Sequence, residues 1–179
     1  RAFWEISNLA KEEGTIEKLA APELGLLAQL AKILISSDSQ ESKAAAAGVL
    51  WNLSVTSDNR THMVAPDIGL LPALARATSS SHRDTSHRAL GALHNISLSP
   101  DAQVAFSSQT ELFDSIAQLT NGDDDQIADQ AVGVLWNVTT CETNRDVVGK
   151  HTSLLNALVQ GLKRPKTESS DLPSKILIV

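Results

Sequence analysis

Apolar residues along this chain recur at the three- and four-residue spacing that places them on one face of an α-helix. The clearest run is Ile68, Leu71, Leu74 and Ala75, whose spacing fits a helix and not a strand. Clusters of Ser, Thr, Asn, Asp and Gly interrupt the apolar stretches and can cap the helices that follow them. These clusters lie at 36–39, 78–81 and 121–124. The pattern predicts an all-α chain.

The predicted helices come in a repeating order of two short helices and one long helix. Ser99 followed by Pro100 predicts the start of a short first helix, because Ser is a favoured N-cap and Pro is tolerated in the first turn. First helices are predicted at 58–65 and 100–108, and a second helix begins near Pro66. Long third helices are predicted at 42–55, 82–98 and 125–139.

A four-residue signature ends each long helix. Its copies are Trp51-Asn52-Leu53-Ser54, His94-Asn95-Ile96-Ser97, Trp136-Asn137-Val138-Thr139 and, in a worn form, Ser7-Asn8-Leu9-Ala10. The asparagines of successive copies are 42 to 44 positions apart. Helical sequence with a period of about 40–47 residues is typical of stacked HEAT or armadillo repeats.

Two further blocks repeat in step with the signature. Residues 21–30 match residues 65–74, and Asn59-Arg60 recurs as Asn144-Arg145. The repeats predict a single solenoid domain over 1–179. Its approximate units are 1–10 (partial), 11–55, 56–98, 99–140 and 141–179 (incomplete).

Both ends of the chain interrupt a unit. Residues 1–10 correspond to the latter half of a third helix, and Pro173–Val179 correspond to the start of another. We therefore expect the sequence to be a piece of a longer solenoid. Its cut ends would expose apolar surface and favour self-association.

Composition narrows the class of protein. The chain has 42% apolar and 20% charged residues, as globular proteins do, and only 3% aromatic residues, so its core must be aliphatic. A single cysteine, Cys141, excludes an intramolecular disulfide and suits a reducing compartment such as the cytoplasm. No apolar run approaches the roughly 18 residues of a membrane span. The net charge of −6 argues against nucleic acid as the ligand, because phosphate binding needs a dense basic face.

The sequence predicts no enzyme, cofactor or metal site. Asp123, Asp124 and Asp125 lack further ligands at calcium-loop spacing, and acidic residues at a helix start favour the positive end of its dipole. No nucleophile motif, zinc-type cluster or phosphate loop accompanies His82 and His87.

Two copies of the long-helix sequence carry a specific family resemblance. Residues 48–54 (Gly-Val-Leu-Trp-Asn-Leu-Ser) and 133–139 (Gly-Val-Leu-Trp-Asn-Val-Thr), each followed by Asn-Arg, resemble the third-helix signature of β-catenin-like and plakophilin-like armadillo proteins. The resemblance implies a right-handed armadillo superhelix of about four three-helix repeats. HEAT repeats are the competing fold, but they use two helices and lack this signature.

The resemblance also implies a function. In armadillo proteins the third helices line a concave groove, and the signature asparagines hydrogen-bond the backbone of an extended partner peptide. By position that role falls to Asn8, Asn52, Asn95 and Asn137. The chain would then be a non-catalytic scaffold in adhesion or signalling, located in the cytoplasm, the nucleus or at cell junctions.

The chemistry of asparagine suits that role. An extended peptide has an unpaired N–H and C=O at every residue, and one carboxamide offers two donors and an acceptor. A series of asparagines, one per repeat, would hold such a backbone. The alternative is that these asparagines cap or cross-link helix ends and touch no ligand.

Other positions on the third helices refine the predicted groove. Gly48, Gly91 and Gly133 stand one turn before the signature asparagines, although mid-helix glycine costs about 1 kcal/mol relative to alanine. Close approach by an adjacent helix or by a ligand backbone would explain them equally well. Arg88, Asp129 and Gln130 would contribute selectivity.

The signature tryptophans have two interpretations. Trp51 and Trp136 directly precede their asparagines and could form an aromatic shelf beside the groove, since indoles are common binding anchors. They could instead fill the gap between neighbouring repeats, where His94 takes their place in the middle copy.

Trp4 and Asn8 differ from the other copies. Their Trp-x-x-x-Asn spacing resembles the groove signature of importin-α, the receptor that binds lysine-rich nuclear localisation signals. That receptor needs successive copies of the signature, and the other repeats have glycine at the tryptophan position. A cargo receptor of this kind is the alternative function, and a regulatory domain of a larger protein is another.

Overall fold

The computed structural model describes residues 2–9, 12 and 14–161, and every regular element in that part of the chain is helical. The α-helices are α1 Ala2–Leu9, α2 Ile16–Leu19, α3 Leu26–Ser36, α4 Gln40–Leu53, α5 Ser57–Met63, α6 Leu70–Thr78, α7 Arg83–Ser97, α8 Pro100–Phe106, α9 Thr110–Leu119, α10 Asp125–Thr139, α11 Glu142–Lys150 and α12 Thr152–Gly161. A 3-10 turn at Pro22–Leu24 precedes α3. The all-α prediction is confirmed, whereas the helix predicted to start at Pro173 lies outside the described residues.

The helices form three successive triplets, α2–α4, α5–α7 and α8–α10, with α1 before them and α11–α12 after them. Helices in equivalent positions pack side by side. The third helices α1, α4, α7 and α10 form one layer, the second helices α3, α6, α9 and α12 form another, and the first helices α5, α8 and α11 form the last. Each repeat therefore touches its immediate neighbours, as in a solenoid.

Local sequence sets the starts of the helices. The Ser39 hydroxyl accepts a hydrogen bond from the Ser42 N–H at 3.1 Å, so α4 begins at Gln40 and not at the predicted residue 42. Asp124 caps α10 through the Ile127 N–H, also at 3.1 Å. Ser99 stands at the N-cap of α8 as predicted, although its hydroxyl makes no capping bond.

The repeated block at 21–30 and 65–74 also has a structural reason. Gly25 and Gly69 adopt φ of 61° and 65° immediately before α3 and α6. L-residues rarely adopt this left-handed conformation, so glycine is suited to the sharp entry into each second helix.

The core is continuous along the triplets. Leu50, Leu53, Leu90 and Leu93 of the third helices are all fully buried, with the second helices packed against them. Most core residues are aliphatic, as the composition predicted, and the aromatic exceptions Phe106 and Phe113 fill the third triplet.

Buried polar groups tie the turn after each third helix to its neighbours. Asn59 donates both side-chain N–H groups to main-chain oxygens, that of Leu53 at 2.8 Å and that of Ile16 at 3.1 Å. Asn144 does the same to Val138 and Gln103. We call Asn59 and Asn144 the junction asparagines, since each satisfies the open end of a third helix and links it to the preceding first-helix region.

Candidate functional site: the third-helix face

The third-helix face is the outer side of the layer formed by α4, α7 and α10. Asn52, Asn95 and Asn137, the ladder asparagines, occupy one register near the carboxyl ends of these helices and are half-buried. Asn8 is half-buried at the equivalent position of α1, and the side chain of Trp4 lies outside the described part. The structure thus places the predicted asparagines on one layer of adjacent helices.

Two of the ladder asparagines bridge neighbouring repeats. Asn95 Nδ2 donates to the hydroxyl of Ser54 at 3.0 Å, and Asn137 Nδ2 donates to the hydroxyl of Ser97 at 3.0 Å. Each carboxamide therefore reaches back to the signature serine of the preceding third helix. Cross-linking, the alternative raised by the sequence, is part of what these residues do.

The bridge uses only part of each carboxamide. Asn95 and Asn137 spend one N–H each, and neither Oδ1 has a hydrogen-bond partner among the described residues. Those oxygens are not buried, unlike the Oδ1 atoms of the junction asparagines. Each carboxamide oxygen is therefore open to solvent or to a ligand, and one N–H of each carboxamide makes no hydrogen bond to a described residue.

Side chains of neighbouring repeats occupy the space above the third-helix glycines. A Cβ at position 91 would lie 2.6 Å from Cε2 of Trp51, and a Cβ at position 133 would lie 3.0 Å from the His94 ring. Trp51 also meets His87 edge-on, with ring centroids 5.3 Å apart. Trp51 thus fills the gap between repeats, and the close approach comes from a neighbouring side chain.

Gly48 is covered from the opposite direction. A Cβ there would lie 3.4 Å from Cδ of Arg88, which belongs to the following repeat. Arg88 also donates to the main-chain oxygen of Ala44 at 3.2 Å and pairs loosely with Asp84 at 3.5 Å. Arg88, which was predicted to contribute selectivity, therefore lies over α4 on the third-helix face. Its guanidinium already makes contacts within that face.

The remaining predicted site residues lie on α10. Asp129, Gln130 and Trp136 are half-buried. The Oε1 atom of Gln130 is buried and accepts no hydrogen bond from the described residues. All three share the helix that carries Asn137, so the predicted residues on α4, α7 and α10 are brought together in one layer.

Two histidines of α7 lie in the gaps between repeats. Burial lowers the pKa of His94 below its ordinary value. Burial also lowers the pKa of His87, with further lowering from Arg83 and Arg88 and partial opposition from Asp124 and Asp84. Both rings are therefore held in the neutral form near neutral pH.

The signature serines also belong to this face, although they were not among the residues predicted for the site. Ser54 and Ser97 are fully buried, and each hydroxyl donates to the main-chain oxygen three residues before it, at 2.7 Å. Thr139 makes the equivalent bond at 2.9 Å. The recurrence of a hydroxyl at the last signature position was the signal that could have identified them.

No helix in the described part of the chain is long and apolar enough to cross a membrane. Within the same residues, no three His, Cys, Asp or Glu side chains are grouped as metal ligands would be.

Designed armadillo repeat proteins are among the solved structures with the same architecture. One of them, in complex with the peptide (KR)4, matches 92% of this chain and 68% of its own length with a TM-score of 0.79 and 18% identity. Another, computationally designed for modular peptide recognition, matches 93% of this chain and 68% of its own with a TM-score of 0.78 and 20% identity. No protein-family model and no curated protein matches the sequence. The chain has the fold of an armadillo repeat solenoid, as its signature predicted.

Proposed function

We propose that this chain is a non-catalytic scaffold that binds an extended segment of a protein partner along the third-helix face. The observation that carries the proposal is the pair Asn95 and Asn137, which hold one register and keep an accessible oxygen and one N–H each. A purely structural cross-link would need neither group. An extended peptide offers the complementary donors and acceptors at every residue.

The structural comparisons support the class of ligand. One similar solved protein is bound to a peptide, and another was designed to recognise peptides. Because the identities are 18% and 20%, sequence preference must come from residues particular to this chain. Catenin-like or plakophilin-like specificity stays a prediction.

A cargo receptor for lysine-rich signals is less well supported. Glycine stands at 48, 91 and 133, where such a receptor would carry tryptophan, and Arg88, Trp51 and His94 cover those positions. Arg88 would also repel a lysine-rich ligand on the same face. A role as the regulatory part of a larger protein stays a prediction.

Location and self-association also stay predictions. Leu155 and Val159 on α12 are 42% and 50% exposed, which supports the proposal that apolar surface near this end promotes self-association. Sedimentation of the chain over a range of concentrations, compared with Leu155→Ser/Val159→Ser, would measure it. A monomer at every concentration would contradict it.

The function is tested by selecting binding peptides from a random library of disordered sequences against the whole chain. The dissociation constant of the strongest peptide is then measured with the unmodified chain, Asn95→Ala/Asn137→Ala and the control Asn156→Ala. Losing one hydrogen bond at each position should weaken binding about five- to 150-fold, since each contributes about 0.5–1.5 kcal/mol. Asn156 is exposed on the second helix α12, so its variant should bind normally.

The outcomes separate the alternatives. Unchanged affinity of the double variant, with its helical circular dichroism intact, would move the site away from the third-helix face. The peptide (KR)4 is measured alongside, and binding of (KR)4 that exceeds that of the selected peptides would favour the cargo-receptor alternative.

A further inference from the structure

We infer that Ser54 and Ser97 are positioning residues for peptide binding: each hydroxyl fixes the carboxamide of the next ladder asparagine so that its oxygen is presented to main-chain N–H groups of the ligand. The inference rests on the proposed function. Neither serine is expected to touch the peptide, since both are fully buried.

Each of the two serine hydroxyls has only one hydrogen, and a main-chain oxygen of the same helix accepts it. Ser54 donates that hydrogen to the main-chain oxygen of Trp51, and Ser97 donates its own to that of His94, both at 2.7 Å. A carbonyl oxygen can only accept, so the serine oxygen is left with lone pairs. The group that meets it must therefore be a donor.

This requirement sets the orientation of the asparagine. Only the amide nitrogen of Asn95 can donate to Ser54, and only that of Asn137 can donate to Ser97; both distances are 3.0 Å. A flipped carboxamide would place its oxygen against an oxygen that has no hydrogen to offer. The flip is disfavoured, so the two amide oxygens are held away from the serines.

The third copy of the signature shows which part of the residue matters. Thr139 donates its hydroxyl hydrogen to the main-chain oxygen of Trp136 at 2.9 Å, as the serines do in their copies. Threonine adds a methyl group but keeps the hydroxyl. The recurring element is therefore the hydroxyl and not the small size of serine. Ser54→Thr, which keeps the hydroxyl, is thus a conservative control.

The fixed orientation predicts what the ligand supplies at these positions. A held amide oxygen accepts a hydrogen bond, so the ligand should contribute a main-chain N–H opposite Asn95 and another opposite Asn137. An ester linkage in place of one peptide bond removes the N–H and leaves the side chains unchanged. Recognition at these positions should thus depend on the backbone of the ligand.

The test measures binding of the library-selected peptide to Ser54→Ala and Ser54→Thr. Alanine releases the carboxamide of Asn95, so the dissociation constant should rise about two- to tenfold, the value of one hydrogen bond. Threonine should restore the affinity of the unmodified chain. In the background of Asn95→Ala, the alanine at 54 should have no further effect, since the serine acts through the asparagine.

The peptide provides a second measurement. Ester substitutions at successive positions of the selected peptide should reveal a position where loss of the N–H weakens binding to the unmodified chain. At that position the ester should weaken binding less to Ser54→Ala. If Ser54→Ala fails to fold, Ser54→Cys keeps the shape with a weak acceptor and should behave in the same way.

Different results overturn different conclusions. If Asn95→Ala weakens binding and Ser54→Ala leaves it unchanged, the positioning role is wrong and the proposed function stands. The positioning role is also wrong if Ser54→Ala lowers the melting temperature alone. If neither Asn95→Ala nor Asn137→Ala affects binding, or if no peptide is selected, the proposed function itself is wrong.

Discussion

The chain uses two recurring sets of asparagines, and their surroundings differ. The junction asparagines Asn59 and Asn144 are 1% and 0% exposed and spend both side-chain N–H groups on main-chain oxygens. The ladder asparagines Asn95 and Asn137 are half-buried and spend one N–H each on a side-chain hydroxyl. The same residue type thus closes a helix end in one place and leaves hydrogen-bonding groups open in the other.

The largest loss of stability is expected on replacing a junction asparagine. Asn144→Ala removes two hydrogen bonds that the fully buried Asn144 makes to main-chain oxygens, so it should lower the free energy of unfolding by about 2–3 kcal/mol. Asn137→Ala, on the half-buried side, should lower it by about 0.5–1.5 kcal/mol. Urea denaturation followed by circular dichroism measures both. Equal losses would show that the two sets do not differ in structural role.

A glycine series tests how much of the third-helix face is fixed by packing. Gly91→Ala places a methyl group against Trp51, and such overpacking should destabilise the chain by about 1–3 kcal/mol. Gly48→Ala meets only ordinary contact with the flexible Arg88 and should gain up to about 1 kcal/mol from helix propensity. Thermal unfolding compares the two. Adding Trp51→Ala to Gly91→Ala should give less than the sum of the separate losses, and full additivity would contradict the clash.

A smaller loss of stability is expected at the solvent-exposed contact between the second and third triplets. Arg83 pairs with Asp124 across the second and third triplets at 2.6 Å, and Asp124 also caps α10. Asp124→Ala loses both contacts and should lower the free energy of unfolding by about 1–2 kcal/mol. Asp124→Asn keeps the cap and loses only the ion pair with Arg83, so the free energy of unfolding should fall by about 0.2–1 kcal/mol. Added salt should reduce this loss. Urea denaturation at two salt concentrations checks this, and equal stability of Asp124→Ala and Asp124→Asn would contradict the capping role.

The smallest effect is expected when the pH is changed. Because the pKa values of His87 and His94 are lowered in the folded chain, stability should be complete above the ordinary histidine pKa of about 6.5 and fall as pH drops through it. The direction follows from burial, since protonation is easier in the unfolded chain. A His87→Gln/His94→Gln variant should show a flatter dependence of the free energy of unfolding on pH. An equal slope would mean that other groups control it.

Much of the fold could be predicted because its signals are local and repeat. The third helix predicted at 125–139 is α10 at the same bounds, and the helix predicted at 82–98 is α7 at Arg83–Ser97. The cap at Ser39 moved the start of α4, because one side-chain hydrogen bond decides a boundary that apolar spacing leaves open.

The contacts between repeats could not be predicted in the same way. Trp51 and Gly91 lie on different repeats, and their spacing does not say which side chain fills which gap. The recurrence of Asn59 and Asn144 was visible, but their bonds to Ile16 and Gln103 depend on how the chain passes between layers. Peptide binding by the ladder asparagines remains a prediction that the measurements above address.

The glycines at the centres of α7 and α10 also determine which repeat can precede each of these helices. Trp51 and His94 project forward onto the next third helix, where Gly91 and Gly133 make room for them. A third helix with this glycine can therefore follow a repeat whose signature begins with tryptophan or histidine, because a Cβ at that position would collide with the ring.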